Sequence, residues 1–399
     1  MKKAGIAALI FVAFFATFLI SKGYYFYKSI YTKRNGIFSK PVEPKTAYNI
    51  LLLGYGGPGH DGPYLTDSMM VAHIDLKTNK VALLSLPRDI WVLLPTKSKE
   101  AFHSKINAVY QTGLFPKDYP DVNVPSVETD LIKGAVKTIT GLSIDAYLAI
   151  DFAGFTKAID ILEGVDVNVV KTFDDYEYPL EDKEKDLCEK DAEFEQVKKF
   201  LELGYDEEEK KRLFAEKPEL ELFFKNITDD PKEAFPCRYE HLHFDAGKVH
   251  MDGTTALKYV RSRHSLQDGS DFGRAARQQQ FVKAVKEKVI SIGFVTKVIP
   301  LLDEMKKHIR MDISPDALQT FVKEAKDASS YKTISIRMSD QDFLKSSYSE
   351  YGGYILIPRS GADNWTEIHK MIKNGIAEIT PTPSLKPTLS PIPTGKIIK

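Results

Sequence analysis

The amino-acid sequence predicts a layered α/β domain with an N-terminal transmembrane helix and an acidic helical insertion. Strand and helix signals alternate along most of the 399 residues, as they do in layered α/β domains. An uncharged run lies near the N-terminus, and a strongly acidic segment interrupts the alternation. With 43% hydrophobic residues, the chain can bury a large core, in one large domain or two smaller ones.

The total charge is balanced, with 55 Lys and Arg residues against 55 Asp and Glu residues. That balance excludes a globally basic nucleic-acid binder and a globally acidic solvating protein, so we expect no nucleic-acid partner. Residues 174–233 nevertheless contain 22 acidic and 11 basic side chains, a net charge of −11 that leaves +11 for the remainder. A local anion site is therefore compatible with the neutral total.

Residues 4–20 carry no charge and suit a signal sequence or a short membrane span. Aromatic residues at 24–27 would lie at the headgroup level, and no small-residue cleavage site is evident at 21–23. We therefore predict that residues 1–23 form a retained signal anchor. A cleaved signal peptide and a buried helix are the alternatives. The orientation signal is poor because basic residues are more numerous after the run than before it: Lys22, Lys28, Lys33 and Arg34.

A linker over residues 24–48 leads to the predicted domain, residues 49–378. A buried strand at 49–54 ends in the glycine-rich loop GYGGPGHDGPYLTD. Apolar runs at 68–76 and 81–86, separated by the turn KTNK, indicate an antiparallel hairpin. Helix signals at 127–139 and 155–162 then alternate with strand signals at 146–150 and 165–170.

An acidic, helix-favouring insertion follows at about residues 173–236, and a solvated helical excursion is its plainest interpretation. Cys188 and Cys237 lie near its ends, so in an exported protein a disulfide could close it; two unpaired thiols are the alternative. Zinc is not expected, because His241 and His243 are close to Cys237 in sequence but no paired-cysteine spacing supports a site.

The core pattern resumes near residue 242. Asp252 is an N-cap candidate for a helix at 254–260, and a second helix begins near Arg274. Late strands are predicted at 335–338 and 354–357, a last helix at 365–372, and a proline-rich disordered tail at 379–399.

Arginines dominate the residues that could do chemistry, because no nucleophile-elbow, P-loop, zincin or dinucleotide fingerprint occurs in its required context. Arg88 follows a buried strand in LSLPRD, where ligand sites on α/β sheets commonly form. Arg261 and Arg263 follow a helix in YVRSRH. Two residues apart, they could reach one ligand only where the backbone is extended beyond the helix end.

The helix that starts DFGRAARQQQF would place Arg274, Arg277, Gln278 and Phe281 on one face. Several arginines with few candidate nucleophiles point to bidentate binding of phosphate oxygens. For any one arginine alone, a surface ion pair is the alternative.

Two acidic residues in and after the glycine-rich loop, Asp61 and Asp67, supply hard oxygen ligands. Such oxygens suit Mg²⁺, which would bridge the phosphates that the arginines bind. The sequence therefore predicts a magnesium-assisted phosphate site.

Six sequence blocks carry these features in one order. They are LLLG at 51–54, TDSMMV at 66–71, LLSLPRDIWVLLP at 83–95, HSKINAVYQTG at 103–113, DAYLAIDFAGFTKAIDILEGVDVNV at 145–169, and MDGTTALKYVRSRHS with the D-x-x-R-x-x-R-Q-Q run that ends at Gln279. Together they resemble the LytR-CpsA-Psr family of envelope proteins. The resemblance covers about residues 49–289, without the insertion.

The resemblance implies a layered α-β-α sandwich around a mixed sheet, with its catalytic core at residues 49–290. This domain is expected to be extracytoplasmic and held in the cell membrane by a single span. The implied activity transfers a glycopolymer from polyprenyl (undecaprenyl) pyrophosphate to a peptidoglycan hydroxyl, with Mg²⁺ as cofactor and a phosphodiester as product. The lipid-linked glycan, peptidoglycan and the membrane are the implied partners, and no protein partner is indicated.

The resemblance also implies roles for individual residues. Arg88, Arg261, Arg263 and Asp67 are expected to be catalytic, Asp67 is expected to hold magnesium, and Asp61 is a second candidate ligand. The expected pyrophosphate-binding residues are Arg88, Lys105, Arg261, Arg263, Arg274, Arg277 and Gln278.

One residue departs from the family pattern. The family usually has an acid twelve residues before Asp67, where this chain has Tyr55. Unless Asp61 replaces that acid, this chain has no counterpart of the family carboxylate that is implied to bind metal or abstract a proton. Tyr55 makes a non-catalytic lipid-glycan binder or envelope regulator one alternative function. A polyprenyl pyrophosphate hydrolase, in which water replaces the acceptor hydroxyl, is the other.

Overall fold

The structure is a computed structural model that describes residues 45–202, 204–291, 305–313, 329–340 and 342–377, with single residues or short stretches at 21, 24–25, 27–29 and 320. The predicted membrane run at 4–20, most of the linker and the tail at 379–399 lie outside the described residues. None of the helices in the described part of the chain has both the length and the apolar composition that a bilayer span requires.

The strands, in chain order, are β1 Ala47–Tyr55, β2 Thr66–Asp75, β3 Lys80–Ser85, β4 Trp91–Leu94, β5 Phe102–Lys105, β6 Ala146–Asp151, β7 Val165–Val169, β8 Phe173–Pro179, β9 Tyr239–Phe244, β10 Gly247–Met251, β11 Ile309–Met311, β12 Lys332–Arg337, β13 Leu344–Tyr348 and β14 Tyr354–Pro358. The helices are α1 Ile106–Leu114, α2 Thr129–Thr140, α3 Phe152–Ile161, α4 Asp191–Val197, α5 Glu207–Glu216, α6 Pro218–Asp229, α7 Pro231–Ala234, α8 Gly253–Arg261, α9 Asp271–Ser291 and α10 Thr366–Ala377.

The central sheet has the strand order β11-β6-β1-β2-β3-β12. β1, β2 and β3 pair antiparallel, which confirms the hairpin predicted from the KTNK turn. β6 joins β1 in parallel, β12 joins β3 in parallel, and β11 joins β6 antiparallel. The sheet is therefore mixed, and the parallel pair brings the carboxyl ends of β1 and β6 to one edge, where Tyr55 is the register partner of Asp151.

Helices cover both faces of this sheet. Successive residues of a strand point to opposite faces, so Leu51 packs with Ile132 of α2 and Ile368 of α10 in the larger core. Ile50 lies on the other face, where Val282 of α9 packs against the same cluster. The predicted mixed α/β fold, with helices on either side of a mixed sheet, is confirmed.

A second core lies beside the sheet, where β7 pairs with β10 and β8 pairs with β9, both antiparallel. Its aromatic residues include Phe173, Phe281 and Tyr259, with the Phe173 and Tyr259 ring centroids 6.0 Å apart. Asp252 caps α8 by accepting the Thr255 backbone N–H at 2.8 Å, as predicted. This core holds the C-terminal end of α8 and the first half of α9 near the sheet edge.

The acidic insertion is helical, as predicted, and contains α4 to α7. Its helices surround a small apolar core of its own, formed by Val197, Phe200, Phe214 and Leu220. A disulfide joins Cys188 and Cys237 at its base. The predicted start at residue 173 is wrong, because 173–179 form β8, which pairs with β9 and buries Phe173 and Asp175 in the second core. The insertion proper lies between β8 and β9.

Candidate functional site

A cavity of about 560 Å³ lies between β1, β2 and β6 of the sheet and helices α3, α8 and α9. Aliphatic and aromatic side chains form much of its wall, among them Leu148, Ile150, Phe155, Ile159 and Phe281. Charged and polar residues complete the lining: Asp67, Ser68, Arg88, Asp151, Asp175, Glu177, Arg261, Arg263, His264, Arg274 and Gln278. The cavity therefore combines an apolar wall with a concentrated set of arginines.

Helix α9 explains how the two kinds of lining are arranged. Arg274, Gln278, Phe281 and Val285 all line the cavity, and their spacing of three or four residues puts them on one helix face. At about 1.5 Å of rise per residue, this stripe changes from charged to apolar along the helix. Of the four residues predicted to share one face, Arg274, Gln278 and Phe281 line the cavity together and Arg277 does not.

Asp271, in the first turn of α9, gathers three arginines. Its carboxylate lies 3.1 Å from Arg263 Nε, 3.2 Å from Arg274 Nη2 and 3.6 Å from Arg88 Nε. Burial alone would raise the pKa of Asp271, but these guanidiniums, Arg274 foremost, lower it. Residues from three separate segments thus present their positive charge at one place.

Arg88 is positioned by three carboxylates. Its Nη1 donates to Asp67 Oδ1 at 2.7 Å, and its Nε lies 3.5 Å from Asp89 Oδ2 and 3.6 Å from Asp271 Oδ2. Burial opposes the charged form of Arg88, but Asp67 and the other carboxylates outweigh it and raise its pKa. Nε is buried and makes no hydrogen bond of good geometry to the described residues.

Arg261 is the last residue of α8, and the backbone is extended at Ser262, with φ −47° and ψ 133°. Arg261 and Arg263 both line the cavity, which the sequence predicted only for extended backbone past the helix end. Buried Asp175 holds this turn: its Oδ2 accepts the Ser262 hydroxyl at 2.6 Å, the Arg263 N–H at 3.1 Å and the His264 N–H at 3.2 Å.

Arg274 is the most deeply buried cavity arginine, with only 7% of its side chain exposed. Burial lowers its pKa to about 10 despite the opposing effect of Asp271, so it remains charged at neutral pH. A buried cation whose partner carboxylate is shared with two other arginines is a strong site for an anion.

Three of the predicted site residues do not line the cavity. Arg277 is buried, donating to Asp268 Oδ1 at 2.5 Å, to the Ser262 carbonyl and, at 3.3 Å, to the Tyr259 carbonyl. The Arg277 guanidinium is thus engaged behind the Arg263 segment and is not brought together with the cavity arginines.

Lys105 and Asp61 are the other two. Lys105 Nζ donates to Asp89 Oδ1 at 2.7 Å, so it neutralises a carboxylate beside Arg88 from outside the cavity lining. Asp61 is exposed in the glycine-rich loop and is absent from the lining. Asp61 thus lies outside the lining, and the position of the usual family acid, twelve residues before Asp67, is a separate one.

Tyr55 occupies that position as a buried side chain, and burial raises its pKa to about 12. A neutral phenol neither binds magnesium strongly nor accepts a proton at neutral pH. The neighbouring acid is Asp151, which lines the cavity; its Oδ1 accepts the Gly154 N–H at 2.7 Å and lies 3.0 Å from His308 Nδ1.

Sequence reasoning missed the roles of Asp271, Asp175 and Asp151. The spacing of Asp271 and Arg274, three residues apart on one helix, could have suggested their ion pair. The contacts of Asp271 with Arg88 and Arg263, and those of Asp175 with the Arg263 segment, join residues that are far apart in sequence and leave no local signal.

Chemically, the arrangement suits a phosphate-bearing ligand with an apolar tail. Guanidiniums bind phosphate oxygens in a bidentate manner, and the apolar wall would bury a hydrocarbon chain. Asp67 adds a hard oxygen ligand, since its carboxylate lines the cavity with 41% of the side chain exposed. One carboxylate together with ligand phosphates is a common way to hold Mg²⁺.

Known proteins resemble this chain in sequence and in fold. The family model described as the LytR_cpsA_psr family matches residues 19–354. The chain is 26% identical over 280 residues to the polyisoprenyl-teichoic acid–peptidoglycan teichoic acid transferase TagU of Oceanobacillus iheyensis, an alignment that covers 70% of this chain and 62% of TagU. The chain thus spans less than two thirds of that relative.

Two further proteins are similar. The regulatory protein MsrR of Staphylococcus aureus is 25% identical over 313 residues, which cover 76% of this chain and 69% of MsrR. The crystal structure of B. subtilis TagV superposes with a TM-score of 0.50 and 21% identity, covering 85% of this chain and 100% of that one. At that identity, the superposition shows a shared fold.

Proposed function

The chain belongs to the LytR_cpsA_psr family, and from that premise we propose that it is a glycopolymer transferase of cell-wall assembly. It transfers a polyprenyl (undecaprenyl) pyrophosphate-linked glycopolymer to a peptidoglycan hydroxyl and forms a phosphodiester. The name of TagU, a polyisoprenyl-teichoic acid–peptidoglycan teichoic acid transferase, supports this substrate class. The observation that carries the proposal is the gathering of Arg88, Arg263 and Arg274 on Asp271 beside an apolar cavity wall.

In this proposal the pyrophosphate lies against the guanidiniums of Arg88, Arg261, Arg263 and Arg274, with the Gln278 amide beside them. Gln278 is already oriented, since its Oε1 accepts the Ser68 hydroxyl at 3.1 Å and its Nε2 donates to the Val260 carbonyl at 3.2 Å. The polyprenyl chain follows the apolar stripe of α9. The cavity volume of about 560 Å³ lies within the roughly 300–1,000 Å³ typical of small-ligand sites.

Asp67 is the residue that would hold magnesium, because it presents a carboxylate to the cavity next to Arg88. When bound there, the ion would neutralise phosphate charge and so favour attack at phosphorus. Asp61 is not included in the proposed site because it does not line the cavity.

The proposed reaction is a displacement at the phosphorus atom that bears the sugar. A peptidoglycan hydroxyl oxygen forms a new O–P bond, the anhydride P–O bond breaks, and polyprenyl phosphate leaves as the hydroxyl proton is released to solvent. Phosphoryl transfer of this kind depends mainly on positioning and charge stabilisation. The arginines bound to Asp271 supply both, because they orient the pyrophosphate and stabilise the charge on the leaving phosphate.

The proposal places the domain outside the cytoplasm, attached to the cell membrane by a single span within residues 1–23. The disulfide between Cys188 and Cys237 supports this location, since structural disulfides persist mainly in oxidising compartments. A lipid carrier and a peptidoglycan acceptor would both be accessible there.

The test uses the purified full chain, a polyprenyl pyrophosphate-linked oligosaccharide, Mg²⁺, and reactions with and without a peptidoglycan acceptor. Transfer predicts an oligosaccharide phosphodiester on the acceptor and one polyprenyl phosphate released per product. Release of free sugar phosphate at the same rate without acceptor would instead identify a polyprenyl pyrophosphate hydrolase and overturn the proposal.

Tyr55 and the naming of MsrR as a regulatory protein favour one second candidate, a non-catalytic lipid-glycan binder or envelope regulator. Tyr55 cannot supply the carboxylate of the usual family acid. This function predicts tight binding of the lipid pyrophosphate with no magnesium-dependent product. Turnover that scales with protein concentration and disappears in Arg263→Ala excludes it.

A further inference from the structure

The antiparallel pair of β8 and β9, called the β8–β9 hairpin here although the insertion separates the two strands in sequence, carries two histidines and an aspartate outside the cavity lining. His241 and His243 are two residues apart on β9 and so share one side of the strand, and Asp174 on β8 is the register partner of His243. His241 Nε2 lies 2.9 Å and His243 Nδ1 lies 2.8 Å from the same oxygen, Asp174 Oδ1. We propose that these three side chains bind a divalent transition-metal ion of the zinc type.

The donor atoms suit such an ion. All three ligand atoms lie within 4.8 Å of one another, which permits the roughly 2.0–2.2 Å bonds that zinc forms with imidazole nitrogen and carboxylate oxygen. Two imidazoles and one carboxylate, with water in the fourth position, form a common tetrahedral zinc set. Imidazole favours zinc, copper and nickel, whereas magnesium favours oxygen ligands, so this site differs chemically from Asp67 in the cavity.

Neighbouring side chains support the three ligands as they do in established metal sites. The second ring nitrogen of His243, Nε2, lies 3.3 Å from Asp245 Oδ1, and metal-binding histidines usually direct this nitrogen to a carboxylate or carbonyl. The Tyr176 ring stacks on His241 with centroids 4.0 Å apart and an interplanar angle of 5°. Gln267 Oε1 accepts the Asp174 backbone N–H at 2.8 Å, and Gln267 Nε2 donates to the carboxylate oxygen Asp174 Oδ2 at 3.5 Å. Both imidazoles and the carboxylate are thus oriented before any ion binds.

The neighbouring β7–β10 pair shows what an ordinary surface ion pair looks like in this protein. His250 Nδ1 lies 2.7 Å from Asp166 Oδ1, and the two residues are cross-strand register partners. That pair has a similar distance and a similarly exposed imidazole, but it has a single imidazole and a more exposed carboxylate, 46% for Asp166 against 21% for Asp174. It provides a matched control, because one histidine and one carboxylate do not complete a zinc site.

A metal at this position would stabilise the neighbourhood of the cavity. The Leu266 N–H donates to the Asp174 carbonyl at 2.9 Å, and the next residue, Asp175, holds the backbone of Arg263. An ion bound to Asp174, His241 and His243 would hold β8 against β9. Through the two hydrogen bonds just described, it would also stabilise the segment that follows α8. The site does not depend on the proposed transfer reaction, since none of its ligands lines the cavity.

The test is calorimetric titration of Zn²⁺ into the full chain, prepared without a polyhistidine tag and stripped of metal with a chelator. The expected result is one site per chain that a large excess of Mg²⁺ does not occupy. His241→Ala and His243→Ala should each weaken zinc binding by more than the roughly 10- to 100-fold that loss of an outer-shell partner costs. His250→Ala should bind zinc as the unmodified chain does.

Two further measurements exclude a folding artefact. Circular dichroism and the metal-free melting temperature should be unchanged in both ligand variants, because both imidazoles are about half exposed. Titration with Co²⁺ should produce visible absorption bands of a tetrahedral nitrogen and oxygen site, and Asp174→Asn should abolish them. The proposal is overturned if the chain binds no zinc, or if His241→Ala and His250→Ala affect zinc binding equally.

Discussion

The buried carboxylate of Asp175 accepts a hydrogen bond of 2.6 Å from the Ser262 hydroxyl. Asp175 belongs to β8 and Ser262 directly follows α8, so this contact joins the hairpin that bears the insertion to the segment that bears Arg263. The backbone N–H groups of Arg263 and His264 donate to the same carboxylate oxygen. A buried charge is tolerated here because three donors compensate its loss of hydration.

We expect Asp175→Asn to lower the free energy of unfolding by about 1.5–3 kcal/mol, the contribution typical of a hydrogen bond to a charged group. Because the Arg263 segment loses its anchor, KM for the lipid substrate should rise more than kcat falls. Urea denaturation and steady-state kinetics measure the two effects. Asp118→Asn, at an exposed site, is the control. A fully active and stable Asp175→Asn variant would contradict the positioning role.

Arg263→Ala should remove activity and leave stability nearly unchanged, whereas Arg277→Ala should mainly lower stability. Both arginines belong to the predicted pyrophosphate-binding residues. Arg263 lines the cavity and is 36% exposed, so its loss should abolish transfer while the melting temperature changes little. Arg277 is 4% exposed and donates to Asp268 and the Tyr259 and Ser262 carbonyls. Its loss should destabilise the fold by about 2–4 kcal/mol, because buried acceptors are left without donors.

Thermal unfolding and turnover, measured on both arginine variants, separate the two roles. Lowering the assay temperature should restore part of the Arg277→Ala activity but none of the Arg263→Ala activity. Loss of turnover in a stably folded Arg277→Ala variant would show that its guanidinium reaches the substrate after all.

Acid should destabilise the protein in part through Asp271. Its folded-state pKa is lowered, since the arginines, Arg274 foremost, outweigh the effect of burial. The stabilisation is therefore present above the unfolded-state pKa of roughly 4 and is lost as pH falls through the folded-state value. Asp271→Asn should remove this pH-dependent stabilisation. Between pH 5 and pH 3, the free energy of unfolding of the variant should therefore vary less steeply with pH than that of the wild-type protein. Urea denaturation at each pH measures this slope, and equal slopes would contradict the assignment.

Asp67→Ala should lower magnesium-dependent turnover by at least about 100-fold, because it removes the cavity carboxylate beside Arg88 and the charge stabilisation that metal ions supply is worth several kcal/mol. Asp61→Ala should retain full turnover, since Asp61 does not line the cavity. Initial rates over a magnesium series measure both variants. If Asp61→Ala raised the magnesium concentration needed for half-maximal rate, the glycine-rich loop would have to supply the missing family acid.

Features that depend on local sequence were predictable. The KTNK turn and its flanking apolar runs indicated the β2–β3 hairpin, Asp252 indicated the start of α8, and the spacing of Arg274, Gln278 and Phe281 indicated the stripe of α9. Each involves residues within about one hairpin or a few helical turns of one another. Hydrophobic period and capping chemistry act over that range.

Strand β8 was misread because its composition is acidic. Asp174, Asp175 and Glu177 made residues 173–179 look like part of the insertion, although Phe173, Asp175 and Tyr178 are buried. Their partners in β9 lie beyond the whole insertion, and only that pairing brings Asp175 to Ser262 and Asp174 to the two histidines. Asp174, the third ligand of the proposed zinc site, is far from His241 and His243 in sequence for the same reason. A search for paired cysteines does not find such a site.

The sequence by itself determined the α/β class, the order of most elements and the family, and it identified the arginines from which the proposed site is built, because motifs and hydrophobic periodicity depend on neighbouring residues. Tertiary structure alone decided which arginines share a site. Arg88, Arg263 and Arg274 meet on Asp271, whereas Arg277, on the same helix, is engaged by Asp268 and two carbonyls. The physical reason is that a helix face spans over 100°, and only long-range packing determines which part of that face borders the cavity.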